Sequence, residues 1–129
     1  MGVRVRVESV EDGQLTVTVE QRAPYCIVAA SGELDVFTTA QLRATLQERL
    51  VDAADVHLVV DLSGLAFMDS SGLGTLVRTH KQARGLRGSF AVVCPAGPVR
   101  KVIELTGMVH VLRVFDTLDA ATGEPMLGK

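Results

Sequence analysis

Three short apolar runs, at residues 25–30, 57–62 and 89–94, are separated by stretches of helical period, and this alternation constrains the fold most. Each run has the length of a buried strand and is too short for a core helix. Between the first two, Leu42, Leu46 and Leu50 recur every four positions and make one apolar stripe on a helix over 38–53. Between the second and third, Leu73, Leu76, Val77 and His80 share a face of a helix over 71–84, with Gly85 as its stop. Strands joined by helical crossovers pair in parallel, and the helices pack on the sheet. The expectation is an α/β domain with a mixed, largely parallel central sheet.

The flanks extend this pattern. Residues 3–10 and 15–19 alternate apolar and polar, with the turn signal Asp12-Gly13 between them. Arg22-Ala23-Pro24 breaks the second of these strands. Pro98 opens a helix carrying Val99, Val102 and Ile103, and Gly107 closes it. Residues 111–115 read as a last strand, and 116–119 start a short final helix. The chain of 129 residues is one domain, with residues 1–13 an extension or edge strand and 122–129 a flexible tail.

Composition excludes several classes. The net charge of −2 attracts neither phosphate backbones nor anionic lipid, and the chain has one Tyr, four Phe and no Trp for stacking on bases. No nucleic acid and no membrane is expected as a partner: no apolar stretch is long enough to span a bilayer. Cys26 and Cys94 lie inside apolar runs, which suits reduced thiols in a cytoplasmic protein. His57, His80 and His110 show no metal-ligand spacing. No phosphate-binding glycine loop, no Gly-x-Ser-x-Gly elbow and no cofactor motif is present. Catalysis is not expected.

The chemistry concentrates where the run at 57–62 gives way to the next helix. Phe67-Met68 is followed by Asp69-Ser70-Ser71-Gly72-Leu73-Gly74. A serine at a helix start is ordinarily its N-cap. Two serines and an aspartate exceed what a cap needs. Gly72 and Gly74 each cost roughly 1 kcal/mol of helix propensity against Ala, and they leave the backbone open to an approaching protein. Free N–H groups and the positive end of the helix dipole suit a phosphoryl group. A phosphoserine adds a charge of about −1.5 to −2. At an interface that charge is desolvated beside Asp69, and the expectation is a switch of binding. A second polar cluster, Ser31-Gly32-Glu33-Leu34-Asp35, follows the run at 25–30 and belongs to the same carboxyl edge of the sheet. Thr38 and Gln41 have capping-box spacing, and Phe37 and Leu42 sit where a hydrophobic staple would form. With Thr38 as the cap, Asp35 is free to join the site.

Gly32-Glu33-Leu34-Asp35 with Phe67-Met68-Asp69-Ser70-Ser71-Gly72-Leu73-Gly74 resembles the bacterial anti-sigma factor antagonists, small proteins of the STAS domain class. The resemblance runs from about residue 14 to 121 and takes in Gly85, Gly88 and Leu105-Thr106-Gly107. It implies a STAS-type α/β fold. It implies that the unphosphorylated protein binds an anti-sigma factor that is itself a GHKL-type serine kinase, so freeing a sigma factor. It implies that phosphorylation ends that binding and that a PP2C-type phosphatase restores it. The acceptor serine of the family, directly after the aspartate, is Ser70 here. Asp35 matches an acidic position of the kinase contact, and Asp69, Ser71, Gly72 and Gly74 fall in the contact motif. The protein is then a monomer or weak dimer. The competing expectation is a STAS scaffold or accessory subunit of a signalling or transport complex.

Overall fold

The computed structural model describes residues 7–12, 14–52 and 57–123. Six strands form one sheet in chain order: β1 (Val7–Asp12), β2 (Leu15–Arg22), β3 (Tyr25–Leu34), β4 (His57–Met68), β5 (Ser89–Val93) and β6 (Val114–Phe115). The β1–β2 and β2–β3 pairs are antiparallel, and β3–β4, β4–β5 and β5–β6 are parallel. The crossovers are α1 (Thr39–Asp52), α2 (Ser70–Gly85) and α3 (Pro98–Leu105), and α4 (Leu118–Thr122) ends the described chain. The expected α/β class and mixed sheet are what forms. Within the expected 3–10 strand, residues 3–6 lie outside the described residues, as do Gly13 of the turn and residues 124–129 of the expected 122–129 tail; Thr122, the expected start of that tail, is instead buried in α4.

The two sheet faces are unequal. Cys26, Val28, Leu58, Val60, Phe90 and Val92 point into the main core with the leucines of α1, with Leu76 of α2 and with Ile103 of α3. Their alternates Ile27, Val59, Ala91 and Val93 form a smaller cluster with Ala121 of α4. Central strands buried on both faces explain why their sequences are continuously apolar. Arg100 fastens the far end: its guanidinium donates to the Cys94 carbonyl at 2.8 Å and to Asp116 at 2.7 Å.

Two expectations about strand bounds need correction. β3 and β4 do not stop at 30 and 62; they run to Leu34 and Met68. Register shifts between Ala29 and Ser31 and between Gly32 and Glu33 break the alternation that marks a strand, while the pairing continues. The Ser31–Leu34 cluster is therefore strand, and only Asp35 lies beyond it. The last strand shrinks to Val114–Phe115. Gly107, at φ 79°, turns the chain into a 3-10 turn at Met108–His110, which uses up the residues before it. Cys26 and Cys94 do not meet. Cys26 is in register with Leu58, Leu58 with Phe90, and Cys94 lies four residues further along. Two strand spacings alone are about 9.6 Å, beyond the Cα separation of about 7 Å that a disulfide spans. Burial pushes both thiols up, Cys94 to about 11, which leaves them protonated and unreactive at neutral pH.

Candidate functional site

β3 and β4 pair in parallel as far as Leu34 opposite Met68, so the next residues, Asp35 and Asp69, leave the sheet side by side. A backbone bond from Asp69 N to the Leu34 carbonyl, 3.1 Å, closes the junction. The chain turns into α2 at this point, and Asp69 is the N-cap. Its Oδ1 accepts from Ser71 N at 2.9 Å, Gly72 N at 3.2 Å and the Ser71 hydroxyl at 2.6 Å. The Ser71 hydroxyl bond, aided by the amides of Gly72, Ser71 and Val36, holds the carboxyl below the usual range. Neither serine is the cap. Asp and Ser rank equally as cap residues, and the strand pairing at Leu34 decides in favour of the aspartate.

This division of labour separates the two serines. The Ser71 hydroxyl is committed to Asp69. Ser70, the first residue of α2, is exposed and its hydroxyl makes no hydrogen bond among the described residues. Replacing Asp69 with Ala should cost about 0.5–2 kcal/mol of stability. Because its native pKa is lowered, Asp69 contributes stability above its unfolded pKa and loses it as pH falls through the lower native value. Urea midpoints followed from about pH 6 to about pH 3 should therefore fall less steeply for Asp69→Asn than for wild type.

The two glycines also part company. Gly72 is buried, and a Cβ there would sit 2.7 Å from Leu34 Cδ2, 2.8 Å from Leu34 Cγ and 3.0 Å from Met68 Cγ. It is glycine so that α2 can lie against the ends of β3 and β4, not to admit a partner. Gly74 is exposed, and a Cβ there would meet nothing within 4 Å. Opposite signs are expected on substitution. Gly74→Ala should stabilise by up to about 1 kcal/mol. Gly72→Ala should be net destabilising by about 1 kcal/mol, because overpacking of about 1–3 kcal/mol exceeds the propensity gain. Denaturant midpoints of the two variants check this.

Asp35 is less free than its sequence context implies. Its Oδ1 accepts from Phe37 N at 2.9 Å and Thr38 N at 3.0 Å, and Thr38 Oγ1 accepts from Asp35 N at 2.9 Å. The Thr38 hydroxyl also donates to the Glu33 carbonyl, 2.9 Å. Thr38 is thus turned back toward β3 and does not form the expected box. Phe37 is 85% exposed while Leu42 is fully buried, so no staple forms. An aspartate captures the amide two residues on more readily than a threonine three residues before a glutamine closes a box. The second oxygen of Asp35 has no partner among the described residues.

Sequence reasoning missed the apolar surround. Val36 and Phe37 on the β3–α1 turn and Phe67 near the end of β4 are all exposed. A groove of about 500 Å³ starts at Ser70 and runs along α2, floored by Leu73, Val77 and Met108 and edged by Arg78 and Lys81. The signal was present but ambiguous: a phenylalanine beside a helix start reads as a staple. Among the described residues no helix is long and apolar enough to cross a membrane, and no group of His, Cys, Asp or Glu has the makings of a metal site.

Comparison with known proteins bears on the same residues. The STAS domain family model matches residues 16–121. The anti-sigma F factor antagonist of Paenibacillus polymyxa is 31% identical over 102 residues, covering 79% of this chain and 87% of that protein. The anti-sigma-F factor antagonist RsfB of Mycobacterium tuberculosis is 36% identical over 110 residues, 84% of this chain and 88% of that one. The crystal structure of an anti-sigma factor antagonist from Mycobacterium paratuberculosis superposes with a TM-score of 0.78 at 32% identity, covering 90% of this chain and 97% of the other. An exposed serine after a capping aspartate, at the edge of a mixed sheet, is thus found in a chain that belongs to the STAS domain family, among the anti-sigma factor antagonists.

Proposed function

We propose that this protein is an anti-sigma factor antagonist whose unphosphorylated form binds an anti-sigma factor with GHKL-type serine kinase activity. Phosphorylation of Ser70 ends that binding, and a PP2C-type phosphatase reverses it. The protein is the kinase's substrate and not an enzyme, and it works in the cytoplasm. The observation that carries the reading is the contrast between the serines: Ser70 offers an exposed, unengaged hydroxyl, and Ser71 is spent on the cap.

The electrostatics give the switch its sign. Asp69 already takes the N–H groups of Ser71 and Gly72, the donors a phosphate would otherwise use. A phosphate of about −1.5 to −2 on Ser70 therefore enters a site with two carboxylates, Asp35 and Asp69. In the free protein, water screens the repulsion. In a complex that covers Phe37, Phe67 and Gly74, the same charges are desolvated together and the complex weakens. Incubation with the cognate kinase and ATP, followed by peptide mass spectrometry, tests the acceptor. One phosphate on Ser70 is expected; a phosphate on Ser71 would contradict the reading.

A further inference from the structure

A second cleft, of about 260 Å³, opens at the other end of α2 from Ser70. It is lined by His80 and Arg84 of α2, by Gly88, Ser89 and Phe90 at the start of β5, and by Arg113 just before β6. Arg84 and Arg113 come from different elements, yet both guanidinia lie close enough to act electrostatically on His80. Neither has a carboxylate partner among the described residues, in contrast to Arg100, which pairs with Glu104 and Asp116. Arg113 is steadied over the Phe115 ring, 5.5 Å from its centroid.

Two uncompensated arginines at one cleft of a protein with net charge −2 call for an anion. The end of α2 contributes about half a negative charge there, which two full positive charges outweigh. The imidazole adds to the demand. Its Nδ1 is buried and has no hydrogen-bond partner. Burial, with the two guanidinia, pushes its pKa down, so it is neutral at pH 7 and carries one N–H donor. The Ser89 hydroxyl is engaged elsewhere: it lies 2.8 Å from His57 Nδ1 and alternates with Phe90 to the other face of the sheet.

We propose that this cleft binds a small phosphate monoester through its phosphoryl group. Two guanidinium forks and an imidazole present more donors than the two oxygens of a carboxylate can use, and they suit the three terminal oxygens of a phosphoryl group. The volume admits a phosphorylated small molecule and is below the range of about 300–1,000 Å³ that drug-sized ligands fill. The site stands apart from Ser70 and does not depend on the switch.

The test is an NMR titration of the full-length ¹⁵N-labelled protein at constant ionic strength. The probes are glycerol 3-phosphate and inorganic phosphate, with acetate as the carboxylate control. Saturable shifts of the Gly88 and Ser89 amides and the His80 ring are expected with glycerol 3-phosphate, while the Ser70 amide stays put. The double variant Arg84→Gln/Arg113→Gln should weaken binding by at least about tenfold. Both arginines are exposed, so the rest of its spectrum should be unchanged. Shifts that never saturate, an unchanged midpoint in the variant, or equal binding of acetate would overturn the proposal. Binding of inorganic phosphate without the monoester would overturn the monoester assignment.

Discussion

Ser70→Glu should bind the partner kinase at least about 100-fold more weakly than Ser70→Ala, because bringing like charges together at an interface costs several kcal/mol. The alanine variant keeps the exposed surface and accepts no phosphate, so with nucleotide present it should stay bound. Ser71→Ala separates the alternatives. That variant loses only the hydroxyl bond to Asp69, and the cap keeps its two amide donors. It should remain a phosphate acceptor, with Ser70 modified. Isothermal titration against the kinase, with a non-hydrolysable nucleotide, reads the affinities of all three. Equal affinities for the Glu and Ala variants would remove the electrostatic switch.

The second large effect belongs to a glycine of the upstream Gly32–Asp35 cluster, away from the two serines. Gly32 sits on β3 at φ 106°, and a Cβ there would lie 1.9 Å from the Gln14 carbonyl oxygen. The obstacle is backbone, held by the Glu33 N bond to that same carbonyl at 2.9 Å. It cannot swing aside as a side chain does. Gly32→Ala should therefore cost about 3 kcal/mol or more, from strain and overlap together. For a chain of this size that lowers the melting temperature by about 10 °C. Gly107→Ala is the control. Its φ of 79° is also left-handed, but the space around it is open, and the cost should be about 1–2 kcal/mol. Calorimetry giving equal losses at the two positions would show that φ alone, and not the Gln14 backbone, sets the penalty.

The order of elements was readable because burial imposes its period directly. The leucines at 42, 46 and 50 are all in the core, and Pro98 and Gly107 bound α3 as their backbone preferences require. The ends of β3 and β4 were not readable, since a register shift erases the alternation that identifies a strand. The site was legible as a place before it was legible as a mechanism. Asp69, Ser70 and Ser71 stand adjacent in the sequence, and nothing in their identities says which one caps. That is decided by the Asp69 N bond to Leu34, a contact across 35 positions of chain. The same holds for Gly72 and Gly74: both read as helix breakers, and only the packing of Leu34 and Met68 separates a structural glycine from an exposed one. The family resemblance chose Ser70, and the hydrogen bonds supply a physical reason for that choice.

The most direct test of the switch compares the wild-type protein with and without phosphate on Ser70. The two forms, separated by ion exchange, are each mixed with the anti-sigma factor kinase and run on size-exclusion chromatography. The unphosphorylated form should co-elute with the kinase, the phosphorylated form should elute alone, and treatment with a PP2C-type phosphatase should restore the complex. Co-elution of both forms with equal affinity would contradict the account, because a doubly charged group beside Asp35 and Asp69 would then have no effect on the interface.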